Sequence, residues 1–493
     1  MIWFWQEFLD WLPVLVTLFY IVLTAGTLTW ILMTKTDTTS AVAWCLLIIF
    51  LPFIGSVFFY FFGWQHIDKP LERKKRHKLA FRFPGHRPGS GSFTLTKEKA
   101  EEPTLGESLA RLADRFGAYP RSAGNHIDFY HEGQPAFDAM LQAVRAAQHH
   151  IHLEFFIFHA DDIGRQFLHE LTAKAKAGVE VRLLYDAMGS HSLPQSALSD
   201  LRQAGGKTSV FLPLNPLRRR FQINMRNHRK ILVADGKVGF LGGLNIGDEY
   251  LGKNPRFGFW RDTHLGLRGP AVGDLQRVFC EDWDFASGEH LTEGKDPEKM
   301  KQYFPPPETG GPFPAQIIDS GPDRDFKSIR EIYFAAILKA RRRLWIASPY
   351  FVPDAALLDA ICLAGYQGVD VRFLGQFVPD KQVPQFVARF YWRQVVPAGV
   401  KVYQYTKGML HSKVVLVDGE WASVGSANMD NRSLHLNFEI NCMMDSPEAV
   451  ANLESAFLDD LSHSIRLERK VYAHRPFAGR LLENAFRLLS PIL

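Results

Sequence analysis

One eight-residue phrase occurs twice in this 493-residue chain, and the repetition limits the possible folds more than any other feature. The first copy is His228-Arg229-Lys230-Ile231-Leu232-Val233-Ala234-Asp235, and the second is His411-Ser412-Lys413-Val414-Val415-Leu416-Val417-Asp418. In each, His and Lys stand two apart, four apolar or small residues follow, and an Asp closes the run. Gly236 or Gly419 comes next, and then a small-residue phrase ending in Asn: Gly242-Gly243-Leu244-Asn245 and Gly425-Ser426-Ala427-Asn428. A chain built this way is expected to be an internal duplication, with its active centre where the two copies meet.

The surroundings of both phrases support two equivalent halves. A helical pattern over Pro135–His149, a strand-like Ile151–Phe158, a helical Gly164–Lys176 and a strand-like Val179–Tyr185 precede the first copy. Helical Ile329–Ala340, strand-like Leu344–Phe351, helical Pro353–Ala364 and strand-like Val369–Leu374 precede the second in the same order. Strands alternating with helices predict an α/β sheet covered on both faces. The runs Ile231–Ala234 and Val414–Val417 are apolar at every position, as in strands buried on both sides. Asp235-Gly236 and Asp418-Gly419 then supply hairpin turns into Val238–Leu241 and Trp421–Val424.

In a strand, residues two apart share a face, so each His and its Lys are expected to point together. Two histidines and two lysines brought to one place suit a phosphodiester. One imidazole attacks phosphorus to give a phosphohistidine, and the other protonates the leaving alcohol and later deprotonates the incoming one. Lys230, Lys413, Asn245 and Asn428 would hold the non-bridging oxygens, and backbone amides at Gly243 and Ser426 would approach the anion closely. The symmetry of the two phrases does not say which histidine attacks. No His/Cys set or carboxylate cluster with metal spacing stands beside them, so neither metal nor cofactor is expected.

Two long apolar stretches, Trp11–Met33 and Ala41–Trp64, open the chain. Each has the length to cross about 30 Å of hydrocarbon as a helix. The segment Thr34–Ser40 between them is polar, and Trp3, Trp5, Trp11, Trp30 and Trp64 fall near the expected span ends. A cleaved signal peptide fits less well, because no basic segment precedes the first run and a second run follows directly. Lys69, Arg73, Lys74, Lys75, Arg76, Lys78 and Arg82 come after the second run, which by the positive-inside rule places the large C-terminal part in the cytoplasm. Pro52 and Gly55 leave a re-entrant shape open for that run. The net charge of +5 is mild, compatible with anionic lipid or nucleic acid without indicating either. The four cysteines show neither zinc nor disulfide spacing.

At this point the chain resembles the phospholipase D superfamily, whose signature is His-x-Lys-x4-Asp in two copies. Residues Phe129 to Leu461 carry the resemblance. The N-terminal hairpin and basic tether, with Glu154–Phe158, Asn245–Tyr250, Ser348–Pro353 and Asn428–Ser433, are similar to bacterial cardiolipin synthases of the two-span kind. The resemblance implies an α/β duplication of two mixed-sheet halves with pseudo-two-fold symmetry, preceded by a transmembrane hairpin. The expected divisions are 1–66 (spans about 11–33 and 41–64), a basic linker 67–104, and halves 105–305 and 306–493.

The resemblance also implies roles. The catalytic set is His228, Lys230, Asp235, His411, Lys413 and Asp418, with His228 the attacking residue and His411 the acid and base. Within that set the two aspartates are structural, since their parity differs from that of the His and Lys. Glu439 and Asp262 are the carboxylates that orient the histidines. The implied reaction passes a phosphatidyl group from one phosphatidylglycerol to another at a bacterial inner membrane, with anionic lipids as partners and no nucleic acid. Hydrolysis to phosphatidic acid, or phosphatidylethanolamine as donor, remains open. Three further features are expected: a basic and apolar loop Pro216–Phe221 (with Arg226 nearby) at the mouth of the site, a core-packing helix Phe386–Arg393, and a C-terminal segment Arg480–Leu493 docked on the fold.

Overall fold

The two phrases lie in equivalent places in two sheets of the same topology. The computed structural model describes residues 2–35, 38–63, 103–214, 224–291, 297–468 and 476–493. The basic tether Lys69–Arg82, Trp64 and the loop Pro216–Phe221 lie outside the described residues, as do the side chains of Trp3 and Trp5. The N-terminal helices form one unit, and the described residues from Pro103 onward, apart from Leu214 and Asn224, belong to a second.

The second unit contains β1 (Ser122–Gly124), β2 (His126–Glu132), β3 (His150–Phe155), β4 (Glu180–Asp186), β5 (Lys207–Phe211), β6 (Ile231–Ala234), β7 (Val238–Gly242) and β8 (Phe259–Arg268). It continues with β9 (Gly311–Ser320), β10 (Arg343–Ala347), β11 (Phe351–Val352), β12 (Asp370–Gln376), β13 (Lys401–Tyr405), β14 (Gly408–Leu410), β15 (Val414–Val417), β16 (Trp421–Gly425), β17 (Met429–Asp430), β18 (Glu439–Met444) and β19 (Ser464–Arg466). One sheet runs β8-β7-β6-β3-β4-β5 with β2 antiparallel to β8, and the other runs β9-β18-β16-β15-β10-β12-β13. Replacing each strand of the first by its counterpart gives the second, which is the duplication that the repeated phrase predicts.

The halves are not cleanly divided along the chain. β1 pairs antiparallel with β9, in the second sheet, and β14 pairs parallel with β8, in the first. The helix Leu105–Arg115, capped by Thr104 and Glu107, puts Leu109 and Ala113 into the second half's core beside Ile329, Ile332 and Tyr333. A boundary at 105 therefore assigns to the first half a segment that packs with the second. The reason is that the amphipathic helix finds its apolar partner in the helix Ser328–Lys339.

Both faces of the central strands are covered. Ile231 and Val233 join a shared core with Val414, Leu416, Ile440 and residues of the helices Pro270–Ser287 and Pro447–Ser462. Leu232 and Ala234 face the first half's own helices, and Val415 and Val417 face the second's. Period-two alternation thus sends neighbouring side chains into different cores, and every position is apolar because neither face meets water. The turns after β6 and β15 have left-handed backbones at both central residues: φ is 55° at Asp235, 66° at Gly236, 57° at Asp418 and 74° at Gly419. These are primed hairpin turns, for which Asp-Gly is a preferred pair.

In the first unit, the helix Ile2–Thr34 contains one stretch, Trp11–Thr34, long and apolar enough to cross a membrane. The described part of the second apolar run is not one continuous helix. It forms Thr38–Phe50 and Pro52–Phe58, then a wider turn Phe59–Gly63, and breaks at Leu51 (φ −137°, ψ 66°). Proline disfavours helical backbone in the residue before it, and Pro52 opens the next helix instead. Gly55 allows the second segment to come close to the first, since a β-carbon there would stand 3.0 Å from the Leu47 carbonyl and from Ile48. Phe59 closes this small core against Ile31, Ile48, Trp30 and Trp44, and Thr27 Oγ1 lies 3.1 Å from Ser56 Oγ.

Candidate active site

The catalytic phrases begin before their strands do. β6 starts at Ile231 and β15 at Val414, so each His-x-Lys segment lies outside the ladder in which sequence reasoning places it. Each is held instead by the opposite half. The Phe438 N–H donates to the Arg226 carbonyl and the His228 N–H to the Phe438 carbonyl, both at 2.9 Å, so the chain before β6 runs alongside the start of β18. Likewise β14 pairs with Phe259–Arg261 of β8, and the His411 N–H donates to the Arg261 carbonyl at 2.8 Å. The residue following each of these contacts on the partner strand is the carboxylate.

His228 Nδ1 lies 3.0 Å from both carboxylate oxygens of Glu439, and His411 Nδ1 lies 2.8 Å from Asp262 Oδ2. Each histidine is therefore paired with a carboxylate from the other half. Both carboxylates are 0% exposed, and each histidine is 8% exposed. Lys230 Nζ donates to the His228 carbonyl at 2.6 Å, and Lys413 Nζ donates to the His411 carbonyl and lies 2.8 Å from His411 Nδ1. The Phe156 ring stands edge-on to His228, with centroids 5.0 Å apart, and Trp260 is tilted against His411 at 5.4 Å.

The electrostatics of the two pairs differ. Burial pushes Glu439 up to about 7, against the pull of Lys230 and hydrogen bonds from Ser426 and Asn437. Burial also works to raise Asp262, but Lys413 and His411 outweigh it and hold the carboxyl below its ordinary range. His228 is driven well below the ordinary imidazole range by burial, then by Lys230 and Lys413. His411 is lowered by burial and Lys413, with Asp262 opposing. Burial brings Lys413 down to about 8 and Lys230 well below its ordinary value. Each His, Lys and carboxylate acts on at least one group of the opposite phrase, which places them in one electrostatic neighbourhood.

The small residues after the hairpins have a different task from the one expected. The amide of Gly243 donates to the Thr263 carbonyl at 3.0 Å and that of Ser426 to the Ile440 carbonyl at 2.9 Å. Both are consumed by the sheet, so neither is available to a bound anion. Gly243 is small for a different reason: a β-carbon there would lie 1.9 Å from Asp262 Oδ1. At the equivalent place Ser426 Oγ donates to Glu439 Oε2 at 2.5 Å. Asn245 is also engaged: its Oδ1 accepts from the Ile157 amide at 3.1 Å and its Nδ2 donates to Tyr250 Oη at 2.7 Å. Asn428 is buried, and its Oδ1 has no hydrogen-bond partner among the described residues.

Asp235 and Asp418 stand at the far ends of β6 and β15 from the histidines. Asp235 accepts from the amides of Gln148, His149 and His150 at 2.7–2.9 Å. Asp418 accepts from those of Arg341, Arg342 and Arg343 at 2.7–2.8 Å. Each carboxylate ties the end of one helix and the start of β3 or β10 to a hairpin turn. Their place in the catalytic set is corrected accordingly: they brace the sheet and do not approach the histidines.

Sequence reasoning passed over the residue between His and Lys. Arg229 is fully buried, paired with Asp282 and, at 3.0 Å, with Asp319, and its Nε donates to the Glu439 carbonyl at 3.2 Å. Ser412 Oγ lies 2.7 Å from Thr263 Oγ1, beside Asp262. Asn227, which donates to the buried Glu154, and Arg226, 3.6 Å from Asp186, complete the first half's support. One signal was available: Glu154 is an ionisable residue inside the mostly apolar strand-like run Ile151–Phe158, where a buried charge needs a partner.

The chain is similar to several known proteins. A family described as "Cardiolipin synthase, PLD-like domain" matches residues 140–283 and 333–461, and one described as "Phospholipase D-nuclease N-terminal" matches residues 22–64. A cardiolipin synthase of Geobacillus thermodenitrificans is 42% identical over 462 residues, covering 92% of this chain and 88% of that protein. Cardiolipin synthase 2 of Staphylococcus epidermidis is 38% identical over 474 residues, covering 94% of each. A phosphatidylserine synthase of Haemophilus influenzae, solved by crystallography, shares the fold with a TM-score of 0.59 at 15% identity, over 78% of this chain and all of that one.

Proposed function

The chain belongs to the cardiolipin synthase family of phospholipase D-like proteins, and we propose that it joins two phosphatidylglycerol molecules into cardiolipin with release of glycerol. The observation that carries this is the pair of buried histidines, each held at Nδ1 by a carboxylate from the other half. A carboxylate at Nδ1 keeps the proton on that nitrogen and leaves Nε2 to meet the substrate.

In the first step Nε2 of His228 attacks phosphorus, the phosphorus–oxygen bond to the headgroup glycerol breaks, and His411 gives that oxygen a proton. In the second, a headgroup hydroxyl of another phosphatidylglycerol loses its proton to His411 and displaces the histidine, restoring both residues. Lys230 and Lys413 supply positive charge for the non-bridging oxygens, and the side-chain amide N–H of Asn428 would donate to them. Transfer to a lipid alcohol in preference to hydrolysis requires that the site keep water from the phosphohistidine.

The apolar helix Trp11–Thr34 anchors the chain in the membrane in this scheme. The basic residues Lys69–Arg82 put the catalytic body on the cytoplasmic side, with the broken second segment folded back or crossing. Purified protein reconstituted with phosphatidylglycerol alone is expected to release one glycerol for each cardiolipin formed. Phosphatidic acid without cardiolipin would assign hydrolysis instead, and ethanolamine release from phosphatidylethanolamine would identify a second donor.

A further inference from the structure

The helix Phe477–Arg487 is turned the wrong way for a helix packed on a soluble protein. Its one fully buried side chain is Glu483, at 2% exposure, 3.3 Å from Arg393 in an ion pair. Phe486 stacks on Phe386 at 5.4 Å, and the Arg487 guanidinium lies 4.5 Å from the Phe390 ring. These contacts dock the helix on Gln382–Val395, whose other side sends Ala388, Trp392 and Val395 into the core. The expectations of a core-packing helix and a C-terminal segment docked on the fold thus both hold for one face.

The opposite face is apolar and open. Phe477 is 72% exposed and Leu488 79%, with Leu481, Leu482 and Leu489 exposed beside them. At 100° per residue these positions form one arc on the side away from Glu483, and the exposed Arg480 lies toward one edge of it. A continuous apolar stripe of this kind calls for a cover. We propose that this face is a second membrane contact, lying in the interface of an anionic bilayer with its leucines in the acyl boundary and Arg480 among the headgroups. The choice of a bilayer as occupant rests on the lipid-substrate function proposed above.

Three observations favour a lipid surface. An apolar helix of membrane-crossing length elsewhere in the chain, Trp11–Thr34, puts the protein at a bilayer. An exposed apolar face with an arginine toward its edge is a composition that interfacial helices use on anionic lipid. The tail beyond the helix reaches the catalytic region: the Leu493 carbonyl accepts from the Arg432 amide at 2.7 Å, and the Ser490 carbonyl accepts from Asn431 Nδ2 at 3.0 Å. Arg432 lies within electrostatic reach of Glu439, the partner of His228. A helix seated in the interface would hold the catalytic loop where lipid headgroups arrive.

Photo-crosslinking of the full chain tests this without any need for turnover. Benzoylphenylalanine replaces Leu481 or Leu488, with Val22 in the apolar helix as positive control and Lys176 as aqueous control. Each variant is irradiated in nanodiscs of phosphatidylglycerol and phosphatidylcholine and read by mass spectrometry. Phospholipid adducts are expected at positions 22, 481 and 488 and not at 176. Adducts at 22 with none at 481 and 488 would overturn the proposal, and so would chain-to-chain adducts at 481, which would assign the face to a second copy. Lipid adducts at 481 from a protein that makes no cardiolipin would leave this contact standing and remove only the proposed reaction.

Discussion

His228 and Glu439 are 211 positions apart in the chain, yet the imidazole Nδ1 lies 3.0 Å from both carboxylate oxygens. Asp262 and His411 repeat the relationship in the opposite direction across 149 positions. Neither half supplies both members of either of these two pairs, so the site exists only when the two sheets close on each other.

Breaking either carboxylate is expected to disable the histidine of the other half. Glu439→Gln and Asp262→Asn should each lower cardiolipin formation by about 10²–10⁴-fold while leaving the fold intact, because the amide no longer enforces the reactive tautomer. Initial rates on phosphatidylglycerol, with circular dichroism as a control for folding, check this. Near-normal activity in either variant would sink the crossed pairing as a catalytic device.

Ser426 tunes Glu439 by donating to it at 2.5 Å. Ser426→Ala removes a bond that stabilises the carboxylate, so the pKa should climb further above its present value of about 7. The ionised form then dominates only at higher pH. The acid limb of kcat/KM for the variant is expected to move toward alkaline pH relative to the parent, and an unmoved limb would exclude Glu439 as the group that sets it.

Lys413 governs the other limb. Burial lowers its ammonium to about 8, so positive charge beside the substrate phosphate is lost as pH rises through that value. In the parent protein, kcat/KM should decline above about 8. A profile flat to pH 10 would show that the ammonium is not required.

Gly243 leaves no space for a side chain, since an added β-carbon would sit 1.9 Å from Asp262 Oδ1. Gly243→Ala should displace the carboxylate that holds His411 and cost about 10²-fold or more in rate, because small misplacements of catalytic groups are expensive. A rate within a few-fold of the parent would contradict this packing.

Asp235 contributes to stability and not to chemistry. Its carboxylate accepts from three backbone amides, and Asp235→Ala should cost about 2–3 kcal/mol, less than three isolated buried bonds because water reaches part of the site. Burial works to raise this carboxyl, but the amide bonds outweigh it and the folded pKa is lowered. The contribution is therefore complete above the ordinary carboxylate range and fades as pH falls through the folded value. Urea unfolding midpoints at neutral and acid pH measure both effects, and an unchanged midpoint at neutral pH would refute them.

Much of this protein could be read from its chain because local rules wrote it. Four consecutive apolar residues specify a strand buried on both faces, Asp-Gly specifies a primed turn, and the same phrase twice specifies a duplication. Those rules act over a few residues, and the structure follows them at Ile231–Ala234 and Val414–Val417. They could not show that Gly243 and Ser426 spend their amides in the sheet, or that Asn245 is tied to Ile157 and Tyr250. Each of those outcomes depends on which backbone or carboxylate arrives from elsewhere in the fold. The sequence by itself determined the two histidines, the two lysines and the strands behind them. Only the tertiary structure decided which carboxylate serves which histidine, because that pairing is made where β14 and the Arg226–His228 segment cross to the opposite sheet, and contacts across that distance leave no local pattern.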